Sequence, residues 1–178
     1  MNNKKLENLI AESANGNKES FRDIFEILSN RLFTYALSHT KNRDDALDIT
    51  QDTFIEIWRS LEKFKYHSDE AFYGFAFIIL KRKIFATHKK TPTIQLNNDI
   101  LESIDNGYEM NVEDYRYLSK HINSLTDKYQ DVLKLRYWSD MTFKEISKVL
   151  GIKEVTAKVR HHRAIQKLKI NLEKYNHV

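Results

Sequence analysis

The segment TFKEISKVLGIKEVTAKVRHHRA, Thr142 to Ala164, carries residue types suited to reading double-stranded DNA. Thr142 with Glu145 three residues on is a capping-box pattern that starts a short helix. Ile146, Val149 and Leu150 form its inward face, Gly151 permits a tight turn, and Ile152 plugs the corner before a second helix begins. This is the spacing of a helix-turn-helix, whose second helix enters the major groove. At 100° per residue, Ala157, Ala164, Ile165, Leu168 and Leu172 share one face, with His161 among them. Val155, Thr156, Val159, His162 and Arg163 lie opposite, flanked by Lys158 and Arg160. Arg163 has the donor fork for a guanine edge and the valines suit thymine methyls. His161 reads as a core or boundary histidine, because no Cys or carboxylate pattern beside it makes a metal site.

A different chemistry is written in DALDITQDTFIEIW, Asp45 to Trp58. Asp44, Asp48, Asp52 and Glu56 recur at four-residue steps, with Gln51 alongside. Like charges so spaced destabilise an isolated helix by roughly 0.2–0.5 kcal/mol per pair. The stripe, flanked by Ile49 and Ile55, therefore reads as a protein-binding face; Leu47, Thr50, Phe54, Ile57, Trp58 and Leu61 form the core side. Paired catalytic carboxylates are the weaker reading, since no His, Gly loop or metal spacing accompanies them. A third string runs from Ala71 through Phe72, Tyr73, Phe75, Phe77 and Phe85, with Lys81-Arg82-Lys83 and Lys89-Lys90 interleaved. Aromatics among basic residues suit single-stranded nucleic acid, although at this spacing most of the rings are expected in the core.

The elements that must carry these strings are helical. Only 4 Gly and 1 Pro occur in 178 residues, too few for the turns of a β-sandwich or for a Gly-rich phosphate loop. The absence of Cys excludes disulfides, thiolate metal sites and a cysteine nucleophile. Phe21, Ile24, Phe25, Leu28, Leu32 and Ala36 follow the amphipathic spacing. The pattern predicts a short helix ending at Asn15-Gly16, helices from Asn17 and from Lys41–Asp44, a loop over Lys63–Asp69, and a very apolar helix from Glu70 to about His88. After Val112–Ile122, helices follow from Thr126 (a candidate N-cap), from Thr142, and from Glu154 to about Tyr175.

The net charge of +4 divides unevenly along the chain. Residues 1–70 sum to −3, 71–90 to +5, 91–114 to −6 and 115–178 to +8. Two basic blocks separated by an acidic one suit an extended polyanion held at two places. The expected fold class is all-α: two helical domains, 1–90 and 112–178, joined by a flexible acidic linker over 91–111, the second containing the helix-turn-helix. The first residues hold no signal-like apolar run, and the apolar stretch Ala71–Leu80 is about half the roughly twenty residues a membrane span needs. A cytoplasmic protein is expected, with no membrane insertion.

Taken in order and spacing, the three strings resemble the small, two-domain extracytoplasmic-function sigma factors of bacterial RNA polymerase. The resemblance covers Phe21–Tyr66 and Phe72–Lys90 as region 2, and Ile122–Leu172 as region 4. It implies that Asp48, Gln51, Asp52, Ile55 and Glu56 dock on the clamp helices of the polymerase's largest subunit, with the flap of the second-largest subunit a further contact. It assigns Lys63, Lys65, Tyr66, Lys81, Arg82, Lys83, Lys89 and Lys90 to the minus-ten element of promoter DNA. Lys153, Val155, Thr156, Lys158, Val159, Arg160, His162 and Arg163 would serve the minus-thirty-five element. It implies no cofactor, no metal and no enzymatic activity, and it admits an anti-sigma factor or another recruiting protein as a partner. The sequence departs from the family pattern at Phe75 (usually Trp), Arg82 (Asn), Val155 (Gly), Ala157 (Val) and His161 (Leu), which points to an unusual promoter or a helper factor. The alternative is a helix-turn-helix repressor or activator whose N-terminal domain oligomerises or senses a signal.

Overall fold

The computed structural model describes residues 5–40, 42–90 and 120–176, without the side chains of 88–90 and 174–176. The expected linker 91–111 and most of the helix expected over 112–122 lie outside the described residues. What is described is all-α. Helices α1 (Leu6–Ala14), α2 (Lys18–Leu37), α3 (Arg43–Ser60) and α4 (Asp69–Lys90) form the N-terminal bundle, with a 3-10 turn over Leu61–Lys63. Helices α5 (Asp127–Tyr137), α6 (Phe143–Leu150) and α7 (Glu154–Asn176) follow a helical turn at 120–123.

Local chemistry sets the helix starts. The Asn17 side chain accepts from the backbone N–H groups of Glu19 and Ser20, opening α2, and Asn42 accepts from Asp45 N–H at 2.7 Å, opening α3. Both satisfy backbone donors that a helix N-terminus otherwise leaves without partners. At Thr126 the backbone is extended as a cap requires, but its side chain makes no capping bond. The expected capping role there is corrected accordingly.

Ile24, Leu28, Leu32, Ala36, Ala46, Ile57, Leu61, Phe72, Phe77 and Leu80 fill the N-terminal core. Two positions of α3 are corrected: Leu47, expected in the core, is 36% exposed, whereas Ile49, expected beside the acidic stripe, is 6% exposed. Packing on both α2 and α4 rotates the buried face of α3 towards Ile49 and away from Leu47. Phe25 is also more exposed than its spacing predicts, resting on Phe54 with ring centroids 4.6 Å apart.

The C-terminal helices do not stand apart from this bundle. Val132, Leu135, Met141, Ile146, Val149 and Ala157 join the N-terminal hydrophobic cluster. A smaller cluster of Ile122, Leu125, Tyr129, Leu133, Ala164 and Leu168 holds α5 against α7. Helix α4 lies along α6. A Cβ placed on Gly74 would stand 2.9 Å from Lys148 Cβ, so a side chain at position 74 is incompatible with this approach.

Candidate nucleic-acid interface and acidic docking face

The helix-turn-helix is built as its residue types require. Glu145 Oε2 accepts from Thr142 N–H at 2.6 Å, and Thr142 Oγ1 accepts from Glu145 N–H at 3.2 Å, completing the capping box. Gly151 ends α6 with φ of +62°, in the left-handed region where a Cβ is costly. Ile146 and Val149 are buried, Leu150 and Ile152 half-buried, and Ala157, Ala164 and Leu168 face the core. Their burial leaves Lys153, Val155, Lys158, Val159, His162 and Arg163 exposed, with Thr156 and Arg160 half-buried at the margins. Val155 is 70% exposed, a large apolar surface for a fully solvated helix to carry. Lys158 pairs with Glu154 one turn back at 2.7 Å.

His161 sits at the boundary, as its position on the wheel predicts. Its Nε2 lies 3.1 Å from Tyr137 Oη, and its ring packs edge-on against Phe143 at 5.2 Å. Burial, with Arg136 and His162 nearby, lowers its pKa. The side chain holds α7 against the end of α5.

On α3, Asp44, Asp48, Gln51, Asp52 and Ile55 are exposed together, Ile55 at 48%. Beneath them Phe54 meets Phe21 and Phe25, and Trp58 meets Phe21 at 4.8 Å. This aromatic underlay fixes the acidic face on a rigid support. Glu56 differs from its neighbours in being half-buried and paired with Lys83 of α4 at 2.7 Å.

The basic residues of α4 are divided among three environments. Lys81 Nζ lies 2.6 Å from Asp131 Oδ2 on α5, Lys83 is paired with Glu56, and Arg82 is exposed. The side chains of Lys89 and Lys90 lie outside the described residues. Lys63 and Lys65 are exposed in the segment before α4, where Tyr66 Oη donates to Asp69 Oδ1 at 2.7 Å. Of the aromatics, Phe72 and Phe77 are core, Tyr73 and Phe75 half-buried, and Phe85 64% exposed. Ile78, Arg82 and Phe85 thus form an exposed stripe at four- and three-residue steps, in which Ile78 was not marked out by the sequence pattern. Among the described residues no cluster of His, Cys, Asp and Glu could hold a metal ion, and no helix is long and apolar enough to cross a membrane.

Sequence reasoning also missed the residues that join the halves. Arg31 Nε donates to Ser139 O at 2.9 Å, and its guanidinium pairs with Glu145 Oε1 at 3.1 Å while lying over the Tyr73 ring. Thr34 Oγ1 donates to Trp138 O at 2.6 Å and Lys134 Nζ to Ser38 O at 3.2 Å. Tyr35 Oη donates to Asp131 Oδ1 at 3.1 Å, and Lys144 pairs with Glu70 at 2.7 Å. Hydrogen bonding from Lys144 lowers the Glu70 pKa to about 2. Burial lowers that of Lys134 to about 8. No sequence signal links partners roughly a hundred residues apart.

A helical bundle bearing an acidic face, followed by a helix-turn-helix, defines a DNA-directing protein of the sigma-70 class: residues 24–91 match sigma-70 region 2 and residues 115–168 match sigma-70 region 4. The chain is 30% identical to the extracytoplasmic-function (ECF) RNA polymerase sigma factor SigM of Bacillus subtilis, over 83% of this chain and 91% of that protein. It is 29% identical to the RNA polymerase sigma factor SigV of the same organism, over 80% and 84% respectively. This protein belongs to the ECF sigma factors, transcription initiation factors that direct RNA polymerase to promoters. Its fold is similar to that of CnrH, solved in complex with the cytosolic domain of CnrY, at a TM-score of 0.72 and 23% identity, covering 93% of this chain and 96% of that one. It is also similar to RpoE of Bartonella quintana, solved with the anti-sigma factor NepR, at a TM-score of 0.65 and 20% identity, covering 87% and 98%.

Proposed function

We propose that this sigma factor docks on core polymerase through Asp48, Gln51, Asp52 and Ile55, without catalytic chemistry of its own. The supporting observation is that these four side chains are exposed together on a braced helix. A like-charge stripe with an exposed isoleucine at its centre gains most from a basic and partly apolar protein partner. Residues 1–90 then act at the minus-ten element and residues 112–178 at the minus-thirty-five element. Lys63, Lys65 and Arg82 meet phosphates near the minus-ten element, with Phe75 and Phe85 offering faces to unstacked bases. Lys153 and Lys158 position α7 on the duplex, while Val155, Val159, His162 and Arg163 read base edges.

Phe75 and Arg82 in α4, and Val155, Ala157 and His161 in α7, stand where the family pattern has other residues, so the preferred promoter is unusual or a helper factor delivers the complex. An anti-sigma factor covering the acidic face is a further partner, by analogy with the RpoE–NepR pair. The protein works in the cytoplasm, where promoter DNA and polymerase meet. Co-purification with core polymerase of its own host tests the docking. The wild type is expected to be recovered with core, and Asp48→Lys/Asp52→Lys to lose at least tenfold of that recovery. Equal recovery of the two would overturn the docking assignment.

A further inference from the structure

The first two turns of α7 present valine where a DNA-reading helix commonly presents hydrogen-bonding groups. Val155 is 70% exposed and Val159, one turn on, is 43% exposed. The polar side chains around them stand aside. Thr156 and Arg160 are half-buried, and Lys158 is paired with Glu154 at 2.7 Å. Local structure gives no reason for either valine. A β-branched side chain does not favour an exposed helix site, and nothing in the chain covers these two. Ala157 and Ala164 face the core between them and beyond, so the valine edge is the one turned outwards.

An isopropyl group neither donates nor accepts a hydrogen bond. Against a base edge in the major groove it can discriminate only by apolar contact, and the apolar group displayed there is the C5 methyl of thymine. The same reasoning makes a valine blind to the exocyclic group beside that methyl, the O4 of thymine or the N4 amino group of cytosine. A cytosine methylated at C5 therefore offers these side chains the same surface as thymine. Four residues along α7 span about 6 Å, against 3.4 Å per base pair. The two valines thus meet methyl groups about two base pairs apart.

We propose that α7 reads C5 methyl groups as such, Val155 at one base pair and Val159 about two base pairs away. Thymine satisfies each position and 5-methylcytosine replaces it, so methylation of cytosine at C5 strengthens a site that unmethylated cytosine weakens. The inference rests on the DNA-reading assignment of α7 made above and names the chemical group that is read.

Host core polymerase carrying the full chain is used to enrich genomic fragments, and footprinting locates the segment covered by α7. Duplexes of that segment are then made with one thymine at a time replaced by deoxyuridine, which removes the C5 methyl and leaves base pairing intact. Two replacements, about two base pairs apart, are each expected to weaken holoenzyme binding about fourfold. That is one methyl group at about 0.8 kcal/mol, with 1.4 kcal/mol per tenfold. Val155→Ala should reduce the penalty at one position to less than twofold, and Val159→Ala the penalty at the other. Ile170→Ala removes an exposed apolar side chain further along the same helix and should leave both penalties as they are. With cytosine at either position, C5 methylation should tighten binding about fourfold. The proposal is overturned if deoxyuridine is without effect at every position, if both penalties persist in both alanine variants, or if methylated cytosine binds no better than unmethylated. Loss of DNA retention in the alanine variants, without any deoxyuridine penalty in the wild type, would give the valines to a protein contact and overturn it too. A holoenzyme that binds core but enriches no fragments would instead remove the DNA-reading assignment itself, and the proposal with it.

Discussion

Lys83 Nζ lies 2.7 Å from Glu56 Oε2, joining the helix assigned to the minus-ten element to the helix assigned to polymerase docking. Both side chains are partly exposed, so solvent screens the pair and it is worth about 0–1 kcal/mol. Its larger effect is on assignment. Glu56 is spaced with Asp48 and Asp52, yet its carboxylate is engaged inside the molecule. Glu56→Gln is expected to change core-polymerase affinity less than twofold, where Asp48→Lys/Asp52→Lys loses at least tenfold. A binding titration with fluorescently labelled core distinguishes the two outcomes.

Thr142 starts α6, and Glu145 closes the capping box while also holding Arg31. Thr142→Ala removes the acceptor for the Glu145 backbone N–H and is expected to cost about 1 kcal/mol. In a chain of this length that lowers Tm by roughly 2–4 °C, and Thr142→Ser should recover most of it. Thermal unfolding followed by circular dichroism reads both variants; equal melting of Thr142→Ala and wild type would show that the cap contributes nothing.

Lys153 and Arg163 are exposed on α7 and are assigned different work. Arg163→Ala is expected to cost about 1–3 kcal/mol at one base pair and to relax preference there. Lys153→Ala should weaken all sequences alike and reduce the salt slope of binding by about 1. Holoenzyme binding to selected promoter fragments and their single-base variants, over a salt series, separates the roles.

His39 is enclosed by Tyr35, Lys134, Asp131 and Lys81. Burial first, then the Lys134 charge, lowers its pKa to about 3. An unfolded chain binds a proton there below about 6.5, whereas the folded one stays neutral until about 3. The unfolded state therefore binds more protons between those values, and this contribution to stability falls as pH drops through that window. His39→Gln should flatten the dependence of the urea midpoint between pH 7 and 5. An identical slope in wild type and variant would assign the acid sensitivity elsewhere.

The local parts of this molecule were legible in its residues. The Thr142–Glu145 box, the Gly151 turn and the exposed Asp48–Asp52 stripe depend on neighbours within a turn or two, where spacing and side-chain chemistry suffice. The orientation of α3 was less so, because a helical wheel shows that a face is apolar without showing which edge its neighbours cover. Hence Leu47 and Ile49 exchanged places. The seam between the halves was not legible at all. Arg31 with Glu145 and Lys81 with Asp131 are ordinary charges in sequence, distinguished only once chain topology brings them together.

Gly74 sits inside α4, where alanine would favour the helix by about 1 kcal/mol. The methyl group that strengthens the helix is also the wedge that Lys148 Cβ leaves no room for. Secondary structure and tertiary fit thus pull in opposite directions at one carbon atom. A substitution that conventional helix optimisation would favour would loosen the junction between the halves of the molecule.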